Sequence, residues 1–333
     1  MGEAIGKPPG DTVSQGAEPH AYIVIALGGN AIAGPDGSTD PVEQRQKIAA
    51  AAQVIGRLAD HHRIAITHGN GPQIGLLALQ TLSVSGQTPF PLDDLGAQSE
   101  GLIGYEIERE LAGYLPAERA AVTLLTQIQV DPDDPAFDHP EKPIGPYYSA
   151  ADRAEVAQRF GWRMREISPG RFRRVVASPL PLRICEIAAV RHLLSAGFVV
   201  ICAGGGGIPV TTDETGRWHG VEAVIDKDRS SALLAIEIGA REMLILTDID
   251  AVYGNWQSPE QKPIRQATTD CISGFDFAEG SMGPKVAAAC HFVRETGGTA
   301  RIGHLSEAEA VLSGRAGTQI RPGVGVMEWY KKR

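Results

Sequence analysis

The chain has 333 residues, 43% of them hydrophobic, with 39 glycines and a formal net charge of −9. That length exceeds a single small core and points to one large α/β domain with an insertion, or to two lobes. An acid excess, with no basic run beyond Lys331, Lys332 and Arg333, excludes the electrostatic footprint of a nucleic-acid binder, so an anionic substrate must be held by a few local cations.

Residues 1–20 are rich in Gly, Pro and small polar types and lack the apolar core of a signal peptide. They are expected to form a disordered leader, leaving 21–333 as the folded domain. No uncharged apolar run reaches the roughly eighteen residues of a membrane span. Cys185, Cys202, Cys271 and Cys290 are too scattered for a CxxC pair or a metal-ligand set, which suits reduced thiols in the cytoplasm and suggests no protein-bound metal.

Tyr22 to Leu27 is a short apolar run that predicts a strand buried on both faces, closed by a tight turn at Gly28, Gly29 and Asn30. Helical spacing follows from Val42 to Ala59, then a strand from Ile64 to Thr67 and a second turn, His68, Gly69, Asn70, Gly71. Pro72 suits the first turn of a helix reaching about Ser85. His68 reads first as a hydrogen-bonded structural histidine and only second as a substrate contact, because no acid nearby would orient it as a base. A helix over Leu95 to Leu115 and a strand over Ala121 to Thr126 come next. Asp131 to Pro146 then carries five prolines and five acidic residues. This composition marks an inserted, protruding lobe over about 129–176.

The main pattern resumes with a helix near Arg183 to Ala196 and a strand Val199 to Cys202, which meets Gly204, Gly205, Gly206 and Gly207. Four glycines in a row cost backbone entropy and favour close approach to a phosphate over a purely structural turn. In Asp226, Lys227 and Asp228 a cation stands between two acids, with Asp228 expected at the N-cap of a helix to about Ile238. Met243 to Leu246 predicts a strand ending at Thr247 and Asp248. The loop Gly280 to Lys285 opens a helix to about Thr296 that Ser281 can cap, and Lys285 near a helix N-terminus is unfavourable unless an anion offsets it. In an open α/β sheet these turns converge outside the carboxyl ends of the strands. Walker, protein-kinase and GxGxxG motifs are absent.

The segments ALGGNAI, THGNGPQIGLLALQ, KPIGPYY, CAGGGGIPV, GVEAVIDKD, LTDIDAVY and GSMGPK occur in this order over nearly the whole chain after residue 21. Together they resemble the carbamate kinases of the amino acid kinase superfamily. The resemblance implies a three-layer αβα sandwich with a mainly parallel central sheet and a small protruding lobe, a homodimer, and reversible phosphoryl transfer between ATP and carbamate with Mg2+. It implies catalytic roles for Lys227, Lys285, Asp228 and Lys142. It also implies acceptor and phosphate contacts at Gly28, Gly29, Asn30, Gly69, Asn70 and Gly71, to which the reading of the residues above adds His68 as a possible contact and Gly204, Gly205 and Gly206 as a phosphate turn. Asp226, Thr247, Asp248, Tyr253, Met282 and Gly283 would flank the nucleotide. A sister kinase acting on a small carboxylate and a nucleotide-binding regulator are the alternatives. Two departures stand out: GAQSEG replaces the CGAMSQG form of typical members, and Leu180 and Leu182 occupy SPLPLR, where related sequences are more polar.

Overall fold

The computed structural model describes residues 21–32, 40–83, 90–116, 118–278 and 280–331; the expected leader lies outside them. Tyr22–Leu27 forms a strand in which residues 23–27 are all buried. A continuous apolar run needs cover on both faces, and this strand has it in the middle of a ten-stranded sheet. It pairs in parallel with Arg63–His68 on one side and Glu242–Thr247 on the other. Val199–Ile201 and Ala121–Thr123 extend the first side, and Thr299–His304 the second, all still parallel. Thr318–Arg321 then runs antiparallel to Thr299–His304 and pairs with Lys262–Thr268, on which Tyr253–Gly254 and Met327–Trp329 add antiparallel.

Side chains alternate across the sheet. Val24 and Ala26 face one core, shared with buried residues of helices Ile187–Ala196, Lys227–Ile238 and Met282–Thr296. Ile23, Ile25 and Leu27 face the other, shared with Pro41–Ala59, Leu92–Leu111 and Ala308–Leu312. The result is the helix, sheet, helix sandwich. Asp40 caps Pro41–Ala59 by accepting from the amides of Val42 and Glu43 at 2.8 and 3.1 Å, and that fixes where the helix begins.

Two smaller sheets sit beside this body. Trp218–Gly220, Ile208–Thr212, Gln127–Val130 and Pro181–Ile184 make a four-stranded one. Lys142–Tyr148, Arg171–Val176 and Met164–Ser168 make a three-stranded one that packs with helix Ala150–Phe160. It rests on helix Gly71–Ser83 through a glycine contact: a Cβ on Gly75 would stand 2.8 Å from Gly145 Cα.

Several boundaries differ from the sequence expectations. The helix expected from Arg183 begins only at Ile187, because Pro179 and Pro181 favour extended backbone and Pro181–Ile184 becomes a strand. The strand expected to Thr126 stops at Thr123, and Gln127 begins the second sheet. The helix over 95–115 is Leu92–Leu111. Among the described residues, no helix is long and apolar enough to cross a membrane.

Candidate active site

Four neighbouring parallel strands, Glu242–Thr247, Tyr22–Leu27, Arg63–His68 and Val199–Ile201, end on the same rim of the sheet. Their following turns are therefore neighbours, as an open α/β sheet requires. The Gly28 amide donates to Leu246 O at 2.7 Å and the Gly69 amide to Leu27 O at 3.1 Å, so the ladder continues one step into the glycine turns. A Cβ on Gly69 would meet Gly29 Cα at 2.9 Å and Lys227 Cδ at 3.7 Å, and one on Gly28 would meet Thr247 Oγ1 at 3.3 Å. Side chains at these positions would fill the rim. Asn30 lies in the short turn of helix Gly29–Ile32 beside them.

At the centre, Asp228 bridges two lysines. Lys227 Nζ donates to Asp228 Oδ1 at 2.7 Å and Lys285 Nζ to Asp228 Oδ2 at 3.1 Å. The carboxylate is nearly inaccessible, at 5% side-chain exposure, and the lysines are at 12% and 15%. Burial pushes the Asp228 carboxyl up, but the two ammonium groups outweigh it and hold the acid at about 2. Burial also lowers the Lys227 pKa, against the support of Asp228 and with the opposition of Lys285. The bridge thus presents two ammonium groups and one carboxylate: one net positive charge. Lys285, expected to need an offsetting anion at its helix start, finds it in Asp228.

Asp226, not Asp228, is the N-cap. The helix is Lys227–Ile238, and the Asp226 carboxylate accepts from the amides of Asp228 and Arg229 at 3.0 and 3.2 Å. Asp228 is thereby freed to face inward. Ser281 precedes helix Met282–Thr296 without a side-chain cap bond, which corrects the expectation that it caps. Lys142 reaches in from the three-stranded sheet, donating to Ile225 O at 3.1 Å and to Asp226 Oδ2 at 3.4 Å. A second tie joins the same parts: Arg174 bonds Glu222, whose other oxygen accepts the Leu92 amide at 2.8 Å.

The run Gly204–Gly207 has structural reasons that the sequence did not reveal. Gly205, Gly206 and Gly207 have φ of 67°, 104° and 82°, in the left-handed region that favours glycine. A Cβ on Gly204 would strike the His68 ring, one on Gly205 the Asn70 amide, and one on Gly206 Ile225 O. The amides of Gly204, Gly206 and Gly207 turn inward, to Glu100 Oε1 at 2.8 Å, Ala203 O at 3.2 Å and Gly204 O at 3.0 Å. His68 is fully buried, its Nδ1 3.2 Å from Gly69 O and its Nε2 without a partner among the described residues. Burial lowers its pKa to about 4, so it is a neutral imidazole.

Thr247 Oγ1 donates to Asp248 Oδ1 at 2.9 Å beside Gly28. Tyr253 is engaged further out, donating to Asp250 at 3.0 Å with its ring against Trp256. Met282 packs on the core under its own helix, and the Gly283 amide donates to Ala278 O at 3.0 Å. Sequence reasoning missed the polar ties beneath the rim. Ser230 donates to Gly206 O at 2.8 Å, Ser231 Oγ lies 2.6 Å from Thr67 Oγ1, and Asn70 donates to Ser99 Oγ at 2.8 Å. Ser230 and Ser231 sit where a helix facing the core calls for apolar residues, a signal that was available.

An αβα sandwich with a lysine-acid-lysine bridge at the rim of its parallel strands can hold an anionic group such as a phosphate beside the glycine turns. The amino acid kinase family model matches residues 21–304, and the chain belongs to that family. It is 47% identical to the carbamate kinase of Rhizobium meliloti over 311 residues, covering 92% of this chain and 95% of that one. It is 48% identical to the carbamate kinase of Escherichia coli strain K12 over 299 residues, covering 90% and 98%. Among solved structures, Giardia lamblia carbamate kinase bound to AMP-PNP superimposes with a TM-score of 0.83 at 36% identity, covering 91% of this chain and 99% of that one.

Proposed function

We propose that the chain is a carbamate kinase, which transfers a phosphoryl group reversibly between ATP and carbamate. The observation that carries the chemistry is the Asp228 bridge between Lys227 and Lys285 at 2.7 and 3.1 Å, set where glycine turns leave room at the strand ends. In the direction of ATP formation, an ADP β-phosphate oxygen bonds to the phosphorus of carbamoyl phosphate and the bond from phosphorus to the carbamate oxygen breaks. Carbamate leaves as an anion and, once it takes a proton from solvent, decomposes to ammonia and CO2. Charge moves between oxygens while no proton need be removed from either partner, so the neutral, buried His68 is not required as a base.

The chain's own residues supply position and charge. Lys227 and Lys285 face the oxygens of the transferring group, and Asp228 fixes both ammonium groups before substrate arrives, which avoids reorganisation during the step. Gly28, Gly29, Asn30, Gly69, Asn70 and Gly71 line the acceptor side, with the Gly204–Gly206 turn next to them. Asp226, Thr247, Asp248, Tyr253, Met282 and Gly283 lie toward the nucleotide. The three-stranded sheet acts as a lid carrying Lys142, with its Asp226 contact as the closed position. Magnesium enters with the nucleotide as part of the substrate, bound mostly by phosphate oxygens and water. A homodimer, supported by the resemblance, and a cytosolic location, supported by the scattered cysteines, belong to the same reading; light scattering on purified protein tests the first.

The deciding experiment supplies ADP, magnesium and carbamoyl phosphate and reads ATP by luminescence, with the Lys285→Ala variant as the contamination control. ATP should form. Protein that binds ADP by calorimetry yet makes no ATP refutes the reading, and turnover with aspartate or acetylglutamate in its place would assign a sister kinase.

A further inference from the structure

Ser99 and Glu100 are consecutive residues of helix Leu92–Leu111, yet they support two different turns of the rim. Ser99 Oγ accepts from the Asn70 side chain at 2.8 Å and donates to Gly96 O at 2.9 Å. Glu100, only 1% exposed, accepts the Gly204 amide on Oε1 at 2.8 Å and the Thr126 amide on Oε2 at 3.2 Å. Thr126 is itself tied in: its Oγ1 accepts the Ala203 amide at 2.9 Å and donates to Leu124 O at 2.7 Å. One carboxyl group therefore holds the glycine turn from beneath and links it to the start of the second sheet. An acid here is costly unless neutral or paired, and none of the ion pairs found among the described residues includes it.

We propose that Glu100 is a positioning residue of the phosphoryl site, holding the Gly204–Gly206 turn while protonated and weakening the hold on an anionic ligand once it ionises. The inference rests on the phosphoryl-transfer reading of the rim. Burial raises the Glu100 pKa to about 8, against the stabilising amides of Thr126 and Gly204, and the charge of Glu186 adds to the rise. The titratable groups around it are few. Glu186 is occupied by the amide and side chain of Gln127 at 2.8 and 2.9 Å. Cys202 is fully buried, and burial pushes its thiol up. His68 abuts Gly204 from the neighbouring strand and is neutral; the cation that acts on it is Lys227. Above about 8 a carboxylate appears below the turn and repels phosphate through a medium of low dielectric.

Glu100→Gln is the neutral mimic, with one acceptor and one donor in place of the protonated carboxyl. The affinity of both proteins for AMP-PNP with magnesium, read by calorimetry from pH 6.5 to 9, isolates the effect; this readout does not need turnover. Wild type should lose about tenfold in affinity between pH 7 and 9 as Glu100 ionises. Glu100→Gln should match it at pH 6.5 and lack that limb, and any loss due to Lys227 appears in both proteins and cancels in their ratio. Parallel curves overturn the proposal. Infrared spectra of wild type give a measurement that needs no variant: a protonated carboxyl band should persist at pH 7 and vanish across pH 8, and its absence at pH 7 would equally overturn it. Failure to make ATP from carbamoyl phosphate, with these pH curves intact, would instead refute only the assignment of substrate.

Discussion

Replacing Asp228 by Asn keeps the shape of the bridge and removes its charge. In the folded chain the carboxyl sits at about 2 against an ordinary 3.8, because two ammonium groups at 2.7 and 3.1 Å outweigh its burial. A depression of that size corresponds to about 2 kcal/mol of stability, present above pH 3.8 and lost as the pH falls through about 2. Removing one partner of a buried pair leaves uncompensated charge and costs about 3–5 kcal/mol. The lysines can relax toward the open rim, so we expect a loss of about 2–4 kcal/mol, or roughly 3–6 °C in Tm for a chain of this size. Neither ammonium group would then be pre-positioned, and turnover should fall by about a hundredfold or more. Differential scanning calorimetry and the ATP assay at pH 7 check the two figures. An Asn variant within about 1 °C and threefold of wild type would refute the view that this carboxylate organises the site.

Lys227→Ala and Lys285→Ala should each lower turnover by about a hundredfold or more with far-UV circular dichroism unchanged, since on the proposed reading each removes a charge facing the transferring group. Replacing 131–148 by a short Gly/Ser bridge should leave ADP binding measurable by calorimetry while turnover falls by at least about tenfold, as loss of a lid carrying Lys142 requires. Gly205→Ala should cost activity by about tenfold or more in the ATP assay, because φ of 67° strains any L side chain and the new methyl strikes Asn70. His68, held neutral at about 4, gives stability that is present above its ordinary 6.5 and lost as the pH falls through 4, about 3 kcal/mol in all. His68→Gln should therefore flatten the acid limb of a urea-midpoint profile between pH 6.5 and 4.

The body of the fold was legible where one local rule governed the residues. YIVIAL and EMLILT must be buried on both faces, and the turns after them could be placed because glycine marks the end of such strands. The antiparallel edge was not legible. Lys262–Thr268 is seven residues with three charged or amide side chains, KPIRQAT, and beyond the short hairpin with Tyr253–Gly254 its partners are the distant strands Thr318–Arg321 and Met327–Trp329. Its pairing is decided by tertiary packing, and no period within the segment announces it. The Arg183 boundary failed for a different reason: proline chemistry at 179 and 181 outweighed the helical spacing of the residues that follow.

The site divides in the same way. Asp226, Lys227 and Asp228 were visible because they are adjacent, but adjacency misassigned the cap: either acid could close a helix, and only the fold shows that Asp226 takes the backbone amides while Asp228 turns toward Lys285, fifty-seven positions later. The four glycines were visible as an anomaly, and their explanation as phosphate contacts omitted a cause that is internal to the protein. Three of them need left-handed backbone, and His68, Asn70 and Ile225 each leave no space for a Cβ. Packing tight enough to demand glycine also fixes Asn70 and the turn relative to each other, so the structural constraint and the functional one fall on the same atoms. Glu100 shows the converse: an ordinary-looking helical acid whose importance comes only from the two amides that long-range folding brings to it. The glycine turns of the proposed site are recognisable in the sequence, whereas the residues that hold those turns, Ser99, Glu100 and Thr126 among them, become visible only when long-range folding brings them to the rim.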